Sequence, residues 1–196
     1  MTSIKLAAAT LSSGRITLAP FQPEHRAPLA KLAASEPDLF KHMPFPVVRL
    51  GYEAWFDQLC ADQAAGRSIP HAIFVDSEIV GQSCYLNIRA RDAGVEIGST
   101  WYRRSAQGGF VNPSAKLLLI GNAFDQGFER VELKTDALNA QSRAALLKLG
   151  AKFEGVHRRH MRRADGTLRD TAWYSIIRDE WPEVRDALTA RIRAFD

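Results

Sequence analysis

Gln107-Gly108-Gly109-Phe110-Val111-Asn112-Pro113-Ser114-Ala115-Lys116 runs directly into the apolar stretch Leu117-Leu118-Leu119-Ile120. Two glycines opening onto a helical run are the sequence form of an anion cradle. The chain leaves a strand, bends, and turns several free backbone N–H groups toward one point at the positive end of a helix dipole. A pyrophosphate fits such a point. Pro113 is expected at the first helical position, where its missing N–H costs nothing, with Asn112 before it as N-cap. The same ten residues would also serve as an ordinary strand-to-helix turn, and the rest of the chain has to decide between the two.

Upstream of this stretch, His71–Asp76, Ile79–Ile88 and Gly94–Tyr102 alternate polar with apolar residues around short turns, which predicts a three-stranded antiparallel meander. In the last of these strands the apolar face is Val95, Ile97 and Trp101, so Glu96, Gly98 and Thr100 are expected on the other side. Downstream, a helix from Pro113 to about Gln126 leads through Gly127 into the alternating strand Arg130–Asp136. Strand, helix, strand implies a crossover joining two parallel strands. A helix over Asn139–Leu149 follows, with Leu146, Leu147 and Leu149 toward the core and Gly150 as its stop. A hairpin, Lys152–Arg163 and Leu168–Ile177, and a helix from Trp181 to Ala194 end the chain.

The N-terminal part reads as an edge strand, Arg15–Pro20, and a helix from about Pro23 to Ala34. A proline-rich loop, Glu36–Pro46, then precedes a helix from Tyr52 to Ala65 that carries Trp55, Phe56 and Leu59 and stops at Gly66. Phe40, Met43 and Phe45 in the loop are expected either to pack the core or to line an apolar pocket. No repeat or linker interrupts the pattern, so residues 1–196 are expected to form one mixed α+β domain.

Hydrophobic residues make up 46% and charged residues 24% of the 196, which excludes disordered and membrane-embedded classes. A net charge of +4 suits an anionic ligand without requiring nucleic acid. Cys60 and Cys84 are too few for a disulfide framework and are expected as small core residues in a reducing cytoplasm. The run Leu6–Leu11 is shorter than a secretory core, and no stretch approaches the ~20 apolar residues of a membrane span.

This order of elements, together with the glycine-rich helix entry and the segment Thr135–Gly155, resembles the GNAT family of acetyl-CoA-dependent N-acetyltransferases. Within it the chain looks most like the RimJ/RimL branch, which acetylates ribosomal-protein N-termini. The most specific element is Asn139-x-x-Ser142 followed by Leu149-Gly150-Ala151-Lys152-Phe153-Glu154-Gly155. The resemblance implies a mainly antiparallel sheet with helices on both faces and a splayed parallel strand pair that holds the cofactor. It also implies that Gln107, Gly108, Gly109, Phe110, Val111 and Asn112 bind the CoA pyrophosphate through backbone N–H groups. Phe110 and Asn112 depart from the small residues the family places there, yet a residue with negative φ still donates its N–H.

Acyl transfer from a thioester to an amine needs a neutral amine, a donor for the developing oxyanion and a proton for the leaving thiolate. By resemblance the oxyanion donor is a backbone N–H near Trp101 or Tyr102, with Gly98 hinting at a bulge. Many relatives protonate the thiolate with a Tyr seven residues after the Asn, where this chain has Leu146. Ser142 is the expected substitute, with Asn139 bonding the pantetheine amides, although both residues also suit a plain helix start. Glu96 is the candidate base, directly or through a water, or else a salt-bridged strand residue. The acceptor is an amine, and a chain with one candidate carboxylate suits an α-amine near pKa ~8 better than a lysine near ~10.4.

The basic run His157–Arg163 is a solvated hairpin face, a contact to the adenosine phosphate of CoA, or a nucleic-acid contact. It lacks the interleaved aromatics that would stack bases, so nucleic acid is not expected as a partner. Its histidines lack metal-ligand spacing, so no metal is expected. Relatives are often dimers, and a homodimer is one assembly the resemblance allows.

Overall fold

The computed structural model of the chain describes residues 4–45 and 47–195. Its strands are β1 (Leu11–Ser13), β2 (Ile16–Pro20), β3 (Ile69–Val75), β4 (Glu78–Arg89), β5 (Gly94–Tyr102), β6 (Arg130–Asp136), β7 (Lys152–Arg162) and β8 (Leu168–Ile177). They form one sheet in the order β1-β2-β3-β4-β5-β6-β8-β7. Every neighbouring pair is antiparallel except β5 and β6, which run parallel as the crossover requires. The helices are α1 (Arg26–Ser35), α2 (Val47–Leu50), α3 (Tyr52–Ala64), α4 (Val111–Asp125), α5 (Ala140–Lys148) and α6 (Trp181–Arg193).

Helices cover both faces of this α+β sheet. On one side α4, α5 and α6 close over a core that includes Ile97, Leu119, Leu133, Tyr174 and Leu188. On the other, α1 and α3 close over an aromatic cluster of Phe21, Phe40, Trp55, Phe56 and Trp101. Phe40 is 2% exposed and meets Trp55 and Trp101 edge-on, and Phe45 stacks on Trp55 at 5.9 Å between ring centres. Phe40 and Phe45 therefore pack the core, while Met43, partly packed against it, also lines a cavity; Pro46 lies outside the described residues. Cys84 is buried and Cys60 half-buried, as small core residues should be.

Four expectations change. β2 is not an edge strand, because β1 pairs with its outer side, Leu11 opposite Leu18; a three-residue strand is too short to show alternation. Leu147 is 57% exposed, since it sits one residue, about 100° of helix, past Leu146. Helix α4 begins at Val111 with Phe110 as N-cap, so Asn112 is its second residue and Pro113 its third. The leading N–H groups of a helix have no intrahelical acceptor, so proline is as acceptable there as at the first position.

The fourth change matters most. Cys84 pairs with Gly98 but Gln82 with Trp101, so one residue of β4, Ser83, faces two of β5, Ser99 and Thr100, and Ser99 takes up the extra residue at φ +49°. The bulge reverses the alternation of the strand. Trp101 turns into the aromatic cluster, while Thr100 and Tyr102 turn toward α4.

The bulge is clamped from β4. A Cβ at Gly81 would stand 2.1 Å from the Trp101 carbonyl oxygen, a backbone atom that cannot yield. Gly81→Ala is expected to lower the free energy of unfolding by about 1–3 kcal/mol in urea denaturation. An unchanged midpoint would contradict the clamp.

Candidate active site

β5 and β6 pair over only three residues, Gly94 to Glu96 against Arg130 to Glu132, and then separate. The wedge between them opens into a cavity of about 910 Å³. Its walls come from β5 beyond the bulge, the first turns of α4 and α5, the end of β6 and the loop around His42.

The bend before α4 forms as the sequence suggests. Gly108 lies at φ +76°, which only glycine adopts readily, and a Cβ there would meet nothing within 4 Å, so the bend faces open space. No side chain caps α4. Its first bond is Ser114 N–H to the Phe110 carbonyl at 3.0 Å, which leaves the Val111 and Asn112 N–H groups without an intrahelical acceptor. Those N–H groups at the positive helix end are chemically suited to a pyrophosphate. Of the two departures from the family pattern, Asn112 lines the cavity and Phe110 does not. The Phe110 ring packs on the core with the Arg15 guanidinium 5.2 Å above it.

Tyr102 marks the open edge of β5. The Arg103 N–H donates to Val80 on β4, so strand alternation turns the Tyr102 N–H and C=O the other way, where no β6 residue pairs with them. Gln107 Nε2 donates to that Tyr102 carbonyl at 2.9 Å. By the same alternation the Thr100 N–H faces the open edge. The Trp101 side chain points away, and its indole Nε1 is buried without an acceptor among the described residues.

At the start of α5, Asn139 Oδ1 accepts from the Ser142 N–H at 3.0 Å as a true N-cap. Its Nδ2 hydrogens and the Ser142 hydroxyl make no hydrogen bond among the described residues, and both residues line the cavity. One geometry thus serves capping and leaves donors facing the wedge.

Glu96 is 1% exposed and does not line the cavity. Its Oε2 accepts from Asn87 Nδ2 at 2.6 Å and Lys134 Nζ at 2.8 Å. Lys134 is on the cavity wall, so the wall presents the lysine with the carboxylate behind it. None of the residues His157–Arg163 lines this cavity; Arg163 instead bonds Asp136 at 2.6 Å. Burial would raise the Asp136 carboxyl, but Arg163 and the Leu138 N–H outweigh it and hold it below its ordinary value.

Three cavity residues were missed from sequence. His42 comes from the proline-rich loop, and burial lowers its pKa so that the ring is neutral at pH 7. Arg169 is 4% exposed, bonding the Thr171 hydroxyl and the His42 carbonyl. Lys116 is 4% exposed on α4. Its signal was available: Lys116, Leu119, Ile120 and Ala123 share the buried stripe of one helix. Among the described residues no cluster of metal-ligating side chains occurs, and no helix is long and apolar enough to cross a membrane.

An acetyltransferase (GNAT) domain model matches residues 15–152 of the chain. Among solved structures, a GCN5-related N-acetyltransferase from Brucella melitensis is similar at 25% identity and a TM-score of 0.84, over 94% of this chain and 85% of that one. RimJ of Mycobacterium smegmatis, in complex with CoA-disulfide, is similar at 25% identity and a TM-score of 0.81, over 93% and 94% of the two chains. An acetyltransferase from Salmonella typhimurium that modifies the N-terminal serine of a 50S ribosomal subunit protein shares the fold, with 18% identity, a TM-score of 0.76 and 84% and 96% coverage. No curated protein sequence matches the chain.

The N-cap can be tested apart from any ligand. Asn139→Ala is expected to lower stability by about 1 kcal/mol in denaturant titration, whereas Asn139→Asp, which keeps the acceptor, stays near wild type. Equal losses in both would contradict the cap.

Proposed function

The chain belongs to the GNAT acetyltransferase family, whose members use acetyl-CoA, and from that premise we propose that it acetylates a primary amine by direct attack in a ternary complex. The amine is a protein N-terminus or the amino group of a small molecule. One observation carries the reading: a single cavity joins the uncapped start of α4 to the loop around His42, through the wedge between β5 and β6. Donor and acceptor can occupy its two ends together, so no acetyl-enzyme is needed.

Bound acetyl-CoA supplies the thioester. Gln107, Gly108, Gly109, Phe110, Val111 and Asn112 hold its pyrophosphate, the last five through backbone N–H groups aimed by the bend and the helix dipole. Asn139 Nδ2 bonds the pantetheine arm, and the backbone N–H groups on the open edge of β5, at Thr100 and Tyr102, receive the carbonyl oxygen as negative charge develops on it. Ser142 donates a hydrogen bond to the sulfur through its hydroxyl. On the acceptor side, Glu96 acts as base through water with Lys134 between it and the cavity, an arrangement adequate for an amine that is already partly neutral at pH 7 to 8.

A nucleophilic cysteine is the alternative this geometry disfavours. Burial pushes the Cys84 thiol far above its ordinary value, and neither Cys84 nor Cys60 lines the cavity. Initial-rate kinetics with acetyl-CoA and an amine acceptor are expected to give intersecting lines, and the doubly substituted Cys60→Ser, Cys84→Ala protein to keep at least half of wild-type turnover. Parallel lines, or a folded double variant without activity, would overturn direct transfer.

A further inference from the structure

Lys116 is a charged group of the cavity that the proposed reaction leaves unused. It stands in the second turn of α4, lines the cavity and is 4% exposed. Its Nζ donates to Thr100 Oγ1 at 2.8 Å and to Ser83 Oγ at 3.3 Å, and no carboxylate of the described residues lies within ion-pair distance of it. A buried ammonium held only by hydroxyl groups is costly, because nothing opposite in charge repays its lost hydration. Thr100 is also the residue that the Ser99 bulge turns toward α4, and its N–H faces the open edge of β5. The cation therefore sits directly beneath the stretch of strand where acetyl transfer, as read above, takes place.

The reaction needs a proton at this place. A serine hydroxyl can donate a hydrogen bond to sulfur, but it is a far weaker acid than a thiol and cannot give its proton up at neutral pH. A suitable donor has a proton affinity close to that of the leaving thiol, near ~8.5 for an ordinary one. Burial pulls the Lys116 ammonium down to about 7, only slightly opposed by Cys84. The other titratable groups around it do not match. Burial pushes the Tyr102 hydroxyl on β5 and the Cys84 thiol on β4 far upward, and Glu96 on the opposite face of β5 is engaged by Lys134.

Resting on the acetyl-transfer reading, we propose that Lys116 is the proton donor to the thiolate of CoA, with Ser142 only orienting the sulfur. As the amine nitrogen bonds to the acetyl carbon, the carbon–sulfur bond breaks and its electron pair goes to sulfur. The Lys116 ammonium gives sulfur a proton, leaving free CoA thiol and a neutral lysine amine. The acceptor nitrogen loses its own proton to the base, and Lys116 regains one from water.

The test compares wild type with Lys116→Met, which keeps the volume of the side chain and removes the charge, and reads two quantities. The first needs no acceptor: the ultraviolet absorbance of the thiolate of CoA bound to each protein, followed against pH. Lys116 and the bound thiol titrate as a coupled pair, so in wild type part of the thiolate signal should appear with the first ionisation, below the free thiol's value, whereas Lys116→Met should show a single thiol ionisation at or above it. The second is kcat against pH. An acid must be protonated to act, so wild-type kcat should fall as pH rises above the pKa of Lys116 in the complex. The variant should lose that alkaline limb and about 100-fold in kcat at neutral pH, while binding acetyl-CoA within about threefold of wild type. Identical thiolate titrations in the two proteins, loss of CoA binding in a folded variant, or a variant with wild-type kcat would each overturn the role of Lys116. A wild-type protein that binds CoA but acetylates no amine would instead sink the acetyl-transfer reading, and the proposal with it.

Discussion

The short parallel ladder between β5 and β6 is the constraint on which the rest of the molecule depends. Parallel strands joined by a crossover helix could pair along their whole length, but here the ladder ends at Glu96 and Glu132. Beyond it, the Ser99 bulge is held to β4 by the close approach of Gly81, and the two strands part. A wedge in a sheet exposes backbone groups that would otherwise be paired, and an unpaired buried N–H is unfavourable unless something takes it. On this account the ligand completes the sheet. Placing helix starts at the mouth of the wedge, α4 below and α5 beside it, gives the same ligand further unpaired donors.

Charge is distributed to match. Glu96 and Lys134, and Asp136 and Arg163, form pairs on the sheet face opposite α4, where Arg169 is held by the Thr171 hydroxyl and the His42 carbonyl. Lys116 makes no ion pair among the described residues and stands on the α4 face under the bulge. A buried pair and a lone buried cation differ physically: the pair fixes geometry, while the lone cation remains a source of positive field for whatever negative charge enters the cavity.

Much of this was legible in the sequence. Alternation gave the meander of β3, β4 and β5. The crossover logic gave the parallel partner β6, and Asn139 and Gly150 bounded α5. What escaped has identifiable causes. A bulge inserts one residue and flips everything after it, so Trp101 and Thr100 were placed on the wrong faces although Gly98 had suggested an irregularity. Proline marks the start of a helix only to within a turn, because several leading N–H groups are equally free, so α4 begins two residues before Pro113. His42 and Arg169 reach the cavity through long-range packing, the Arg169 guanidinium bonding the His42 carbonyl across 127 residues of chain. No local pattern encodes that contact. Lys116, by contrast, stood on an apolar stripe where a lysine does not belong, and was readable.

The central claim is that the wedge and the helix starts around it form a binding site for acetyl-CoA, with Phe110 turned aside. Calorimetric titration of the purified protein with acetyl-CoA tests it most directly. The account predicts micromolar binding with one molecule per chain, weakened at least tenfold by Gly108→Val, which strains the bend at its positive φ. No detectable binding by the folded wild-type protein would contradict it.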